Sequence, residues 1–182
     1  MSSHPPERTE LDLLLLRRST PDDAELVAAA VALNLQHLKP WLPWASPAAA
    51  VVENQHKRLI ETSLAWDSGS GFEYLALQRD ELVGGFGLHR RVGPNAVELG
   101  YWLCEQATGR GHATAAVEAL TRAALGLTGT RSVEIRCDQA NDRSQGVPLR
   151  LGYRLLRIEP DAVKAPAEVG QSMIWVFPPH QQ

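Results

Sequence analysis

The sequence predicts a single mixed α/β domain, a layered fold and not a doubly wound sheet. Three observations carry the prediction. The chain has 182 residues, 44% of them hydrophobic and 21% charged, enough to enclose one core. Three strand-like segments, 72–78, 82–89 and 96–104, follow one another through short turns, as antiparallel hairpins do. After them come two strand–helix–strand passages, the first entered through the glycine-rich turn Glu105 to Gly111.

Each element has a local reason. Residues 1–9 are polar and carry Pro5-Pro6, so they read as a loose tail ahead of a domain spanning 10–178. Leu11 to Arg17 reads as the first strand. Thr20-Pro21-Asp22-Asp23 opens a helix to about Leu35: Thr20 caps, Pro21 suits the first helical position, and the acids suit the dipole. In His37-Leu38-Lys39-Pro40-Trp41-Leu42-Pro43-Trp44 the prolines break regular structure while two tryptophans demand burial. Ser46-Pro47 opens a second helix to about Trp66, and Asp67 to Gly71 is a loop. The hairpin strands turn at 79–81 and 93–95. In the third, Val97, Leu99, Tyr101 and Leu103 share one face, and Glu98, Gly100, Trp102 and Cys104 the other. The helix from His112 to Leu125 places Ala113, Ala116, Val117, Leu120 and Ala124 on one face, small enough to pack closely on a sheet. Val133 to Cys137 is a strand. Asn141 starts a short helix that ends at Gly152, a C-cap. Tyr153 to Ile158 and Ser172 to Phe177 are the last strands, with a polar loop at 159–170. The total is about seven strands and four helices.

Composition narrows the function classes. A net charge of −3 leaves no basic footprint for nucleic acid. Cys104 and Cys137 each sit in an apolar strand, so neither a disulfide framework nor zinc is indicated, and a reduced cytoplasmic setting is the default. Cys104 has no evident base and does not read as a nucleophile. His37, His89 and His112 lack metal-ligand spacing, so no metal is expected. Leu13 to Leu16 is too short to span a membrane. The turn at 105–111 is suited to an anion: glycines let main-chain N–H groups approach, and the helix that follows adds its dipole. A P-loop would need Lys and Ser/Thr after the second glycine, and a dinucleotide fingerprint a third glycine, where Thr114 stands.

Gln106-Ala107-Thr108-Gly109-Arg110-Gly111 resembles the Q/R-x-x-G-x-G/A signature of GNAT acyltransferases. Asn141-Asp142-Arg143-Ser144-Gln145-Gly146-Val147-Pro148-Leu149-Arg150-Leu151-Gly152-Tyr153 resembles a segment of the RimJ/RimL-type N-acetyltransferase branch. So do His37 to Trp44 and Glu98 to Leu103, in the branch's order, over roughly residues 10–178. Two departures are Ala115, where an acid is frequent, and Leu149, which replaces another.

The resemblance implies a GNAT fold, with a central twisted, mostly antiparallel sheet splayed between the strands at 96–104 and 133–137. It implies direct acyl transfer from acetyl-CoA to a primary amine. The acceptor would be a protein N-terminal α-amine, a polyamine or an amine-bearing antibiotic. Succinyl-CoA as donor, or a non-catalytic acyl-CoA sensor, is an alternative. Coenzyme A would be held by Gln106, Thr108, Gly109, Arg110, Gly111, His112 and Ala113, with pantetheine along Leu103 and Cys104. Asn141 and Ser144 would meet the sulfur end. Ser144 is the candidate acid for the leaving thiolate, and Glu98 the candidate base, acting through water. Trp41, Trp44 and His37 are candidates for the acceptor cleft. An α-amine titrates near ~8 and a lysine near ~10.4, so the former is easier to deprotonate by roughly 3 kcal/mol, and a water-relayed base favours it. Dimers are common in the branch, so a homodimer is admitted.

Overall fold

The computed structural model describes residues 2–178. Met1, part of the expected tail, lies outside the described residues. Among the described residues eight strands form one sheet in the order β1-β2-β3-β4-β5-β6-β8-β7. They are β1 (Arg8–Glu10), β2 (Leu15–Arg18), β3 (Gly71–Gln78), β4 (Glu81–His89), β5 (Ala96–Leu103), β6 (Ser132–Asp138), β7 (Arg154–Pro160) and β8 (Gln171–Phe177). The helices are α1 (Ala24–Leu38), α2 (Val52–Ser68), α3 (His112–Leu125) and α4 (Asp142–Arg150). Every pairing is antiparallel except β5 with β6.

Both faces of the sheet are covered. Strands β3 and β4 are therefore buried along nearly their whole length and read as apolar runs, not alternations. Neighbouring residues of β5 reach different elements. Trp102 meets Trp44 of the α1–α2 connection, with ring centroids 5.9 Å apart, whereas the neighbouring Tyr101 reaches Ser144 of α4. Beneath α3, Ala116, Val117 and Ala124 are fully buried, so the helix lies close on the strands.

Three expectations change. The residues read as a loose tail are tied down. Ser2 exchanges backbone hydrogen bonds with Gly126 and Thr128, His4 Nε2 lies 2.9 Å from the Trp66 carbonyl, and Tyr74 donates to the Pro6 carbonyl. These partners are 60 to more than 120 positions away, so no local pattern announces them. The first strand is two: Leu11 and Leu14 bond each other in a turn, and β1 folds back on β2 as an eighth strand. The start at Ser46-Pro47 is a short 3-10 turn, and α2 begins only at Val52. Gly152 has φ +76°, as a C-cap requires.

Candidate active site

The sheet opens where a cofactor would enter. β5 pairs with β6 only through Ala96–Ser132, Val97–Val133 and Glu98–Glu134. Beyond Glu98 the two strands diverge, and β6 continues against β8 alone. The N–H of Cys104 donates to the Val83 carbonyl on β4 at 2.8 Å, so by strand alternation the N–H and C=O of Leu103 face the gap. The expected splay is present, with the unpaired edge of β5 as one wall.

That edge runs into the glycine turn. The Glu105 N–H donates to Asn34 Oδ1 on α1 at 2.8 Å, and Thr108 Oγ1 donates to the Glu105 carbonyl at 2.8 Å, which ties the start of the turn to the body. Gly109 and Gly111 hold φ +73° and +81°, a region other residues enter at a cost. A Cβ at either would meet nothing within 4 Å, so the glycines also leave the approach open. The first bond of α3 is from Ala115 to the Gly111 carbonyl. Among the described residues no acceptor takes the N–H groups of Gly109 through Thr114. Such a row at a helix N-terminus fits a pyrophosphate. His112 is buried; burial, then the Arg110 charge, hold its pKa below the ordinary imidazole range, so it stays neutral. Gln106 and Arg110 are exposed at the rim.

Across the gap, Asn141 caps α4 by accepting from the Ser144 N–H at 3.1 Å. The Tyr101 hydroxyl lies 3.1 Å from Ser144 Oγ and donates to the Ser144 carbonyl at 3.1 Å. Burial raises the Tyr101 hydroxyl well above its ordinary value, so it remains a proton donor, and it stacks on Phe86. Tyr101 was not singled out from sequence; its place on an apolar face concealed a hydroxyl aimed at Ser144. Cys137 is beside this pair, and burial raises both thiols. Cys104 Sγ donates to the Leu82 carbonyl and is packed away.

On the opposite face lies a cleft of ≈ 760 Å³. Trp44 and Trp102 form its aromatic side; Gly85, Gly87 and Gly100 form its floor. Glycine is required there: a Cβ at Gly85 would stand 2.5 Å from Trp102 Nε1. Glu73 and His89 also line it, 3.6 Å apart. Of the three expected acceptor residues, only Trp44 is on this wall. Trp41 sits in the turn after α1, bonded through its N–H to the Leu38 carbonyl, and His37 is in the last turn of α1. A second, charged cleft of ≈ 520 Å³ shares Arg91 with the first.

Glu98 stands where β5 and β6 part, yet its carboxylate is engaged. Arg91 grips it with two bonds, Nε to Oε2 at 2.9 Å and Nη2 to Oε1 at 2.6 Å. Burial pushes this carboxyl up, but Arg91, then Arg136 and His89, outweigh it and hold it below the ordinary range. A carboxylate so held is a poor acceptor of an ammonium proton, which argues against its reading as the base.

A splayed sheet, a free row of amides at a helix start and a hydroxyl pair at the gap define a nucleotide-thioester transferase architecture. The chain belongs to the GNAT acetyltransferase family, whose domain matches residues 14–154. It is 28% identical over 141 residues to a Bacillus subtilis (strain 168) protein named "Putative ribosomal N-acetyltransferase YdaF", covering 77% of each chain. Its fold is similar to that of Mycobacterium smegmatis RimJ in complex with CoA-disulfide, with TM-score 0.87, 18% identity and coverage of 97% of this chain and 90% of that one. It is also similar to RimL, the ribosomal L7/L12 alpha-N-protein acetyltransferase in complex with coenzyme A, with TM-score 0.83, 21% identity and 91% and 94% coverage. Among the described residues no group of His, Cys, Asp and Glu could hold a metal ion, and no helix is long and apolar enough to cross a membrane.

Proposed function

We propose that this chain, over residues 10–178, is an acetyl-CoA-dependent N-acetyltransferase whose acceptor is a protein N-terminal α-amine. The observation that carries the donor side is the unbonded amide row from Gly109 to Thr114, in line with the unpaired edge of β5. Gly109 to Ala113 would hold the pyrophosphate, with Gln106, Thr108 and Arg110 at its rim. Leu103 would offer its N–H and C=O to pantetheine as another strand would, and Cys104 would pack behind it. Asn141 presents Ser144 to the gap. Ser144, backed by the Tyr101 hydroxyl, would protonate the leaving thiolate.

The acceptor side is supported by the shape of the Trp44–Trp102 cleft, which is large and aromatic at one wall. It suits the first residues of a chain, and the relative from Bacillus subtilis carries the name "Putative ribosomal N-acetyltransferase YdaF". The setting that follows is cytoplasmic, and a homodimer is compatible with it. Glu98, bound to Arg91 between the two clefts, would shape the acceptor path and not take the proton. Trp41 and His37 would support the connection that carries Trp44.

Thiol release from acetyl-CoA, measured with N-terminal peptides, polyamines and aminoglycosides, tests the reading. Peptide-dependent release is the expected result. Release only with small amines would overturn the acceptor assignment. Coenzyme A binding with no turnover of any amine would make the chain an acyl-CoA sensor, and preference for succinyl-CoA would replace the donor.

A further inference from the structure

The acetyltransferase reading leaves the amine without a proton acceptor, since Arg91 holds both oxygens of Glu98. An amine arrives as an ammonium and must lose a proton before its nitrogen can attack. The geometry points to His89 as that acceptor, with Glu73 as its positioning residue; this inference rests on the amine-acetylation reading above.

Four observations support it. His89 is at the end of β4, paired across the sheet with Glu98 on β5, the residue at which the β5–β6 gap begins. That register puts His89 at the closed end of the gap. Its side chain also lines the Trp44–Trp102 cleft, so it is open to the acceptor and not packed in the core. Glu73 Oε1 lies 3.6 Å from His89 Nε2, on the neighbouring strand and on the same wall. Finally, the strands are cleared around the pair. Gly71 and Gly87 flank it, and a Cβ at Gly87 would stand 2.5 Å from His89 Nε2 and 2.9 Å from Glu73 Oε1. Glycine at 87 is what lets the two side chains come together.

The other charged groups facing His89 are Glu98 on β5, Arg91 from the β4–β5 turn and Arg58 from α2. Arg91 is neutralised by Glu98, and Arg58 donates to Gln55 Oε1 at 2.9 Å. Glu73 is thus the carboxylate left to balance an imidazolium.

The step balances without any further reactant. The ammonium gives one proton to the His89 imidazole, which passes it to water through the open cleft. The amine lone pair forms the C–N bond, and the C–S bond breaks with its electrons on sulfur. The thiolate takes a proton from the Ser144–Tyr101 pair, which recovers it from the second proton of the acetylated nitrogen.

The test is the pH dependence of kcat for peptide acetylation, with acetyl-CoA affinity measured by calorimetry. His89→Asn is expected to lower kcat at neutral pH by about 100-fold, the lower end for a lost general base. Acetyl-CoA affinity is expected to stay unchanged. Activity should recover as rising pH deprotonates the amine in solution, which a merely structural loss would not do. Glu73→Gln should lower kcat about tenfold on the plateau above the acid limb, with the peptide KM unchanged, because His89 loses the side chain that positions it. Glu98→Gln should still show an acid limb, moved by the Arg91 charge that Glu98 no longer neutralises. Wild-type turnover with the same limb in His89→Asn overturns this assignment alone, as does a limb lost in Glu98→Gln instead. A wild-type chain that binds coenzyme A but acetylates no amine overturns the acetyltransferase reading and this one with it.

Discussion

Ser144 shows how a residue's role depends on one partner. Its hydroxyl is 3.1 Å from that of Tyr101, which burial keeps protonated. Two hydroxyls in series can hand a proton to sulfur and refill from the cleft side. Ser144→Ala is expected to lower kcat by about 100-fold while acetyl-CoA affinity holds within about threefold; steady-state kinetics beside calorimetry check this. Gly87→Ala is expected to cut kcat about tenfold with little change in melting temperature, because the added methyl presses on the ends of two side chains and not on backbone. The sequence marked Ser144 through its segment and Glu98 through its face. It did not mark His89 and Glu73, which are 16 positions apart with no motif between them. Nor did it show the Arg91 fork that turns Glu98 from a free carboxylate into a bound one.

At the scale of elements, the glycine turn and α4 do most of the positioning. The turn was legible because it is local: strand, two glycines, helix, within a dozen residues. Its conformation needs positive φ, and only glycine enters that region readily. Gly109→Glu is expected to weaken coenzyme A binding at least tenfold in calorimetry, since it adds both a strained φ and a negative charge at the anion site. Asn141 was legible as a cap for the same reason. Asn141→Ala is expected to destabilise the fold by about 1 kcal/mol in chemical denaturation, and to lower kcat by releasing the Ser144 N–H it holds. The boundaries of the first strand were less legible. β1 exists only because β2 offers it an edge, and three residues carry too little pattern to declare that.

At the scale of the whole molecule, a half-buried ion pair joins sheet and helix. Asp23, at the head of α1, accepts two bonds from Arg17 on β2 and one from the Thr20 N–H. Burial pushes its carboxyl up, but Arg17 and Thr20 outweigh burial, and the folded value lies below the unfolded one near ~3.9. The stability this gives is present above about pH 4 and is lost as pH falls through the folded value. Asp23→Asn is therefore expected to lower the melting temperature at pH 7 and to flatten its fall in acid, as calorimetry across pH 2–7 would show. By itself the sequence determined the fold class, the element order and the donor side. Those follow from hydrophobic period, from caps and from a turn whose φ angles only glycine supplies, all of them interactions within a few residues. The tertiary structure alone decided the docked N-terminus, the Tyr101–Ser144 pair, the capture of Glu98 and the cleft that joins Trp44 to Trp102. Each of these depends on strand register, and a register is a long-range choice: shifting it by one residue would turn Tyr101, Trp102 and Glu98 to opposite faces.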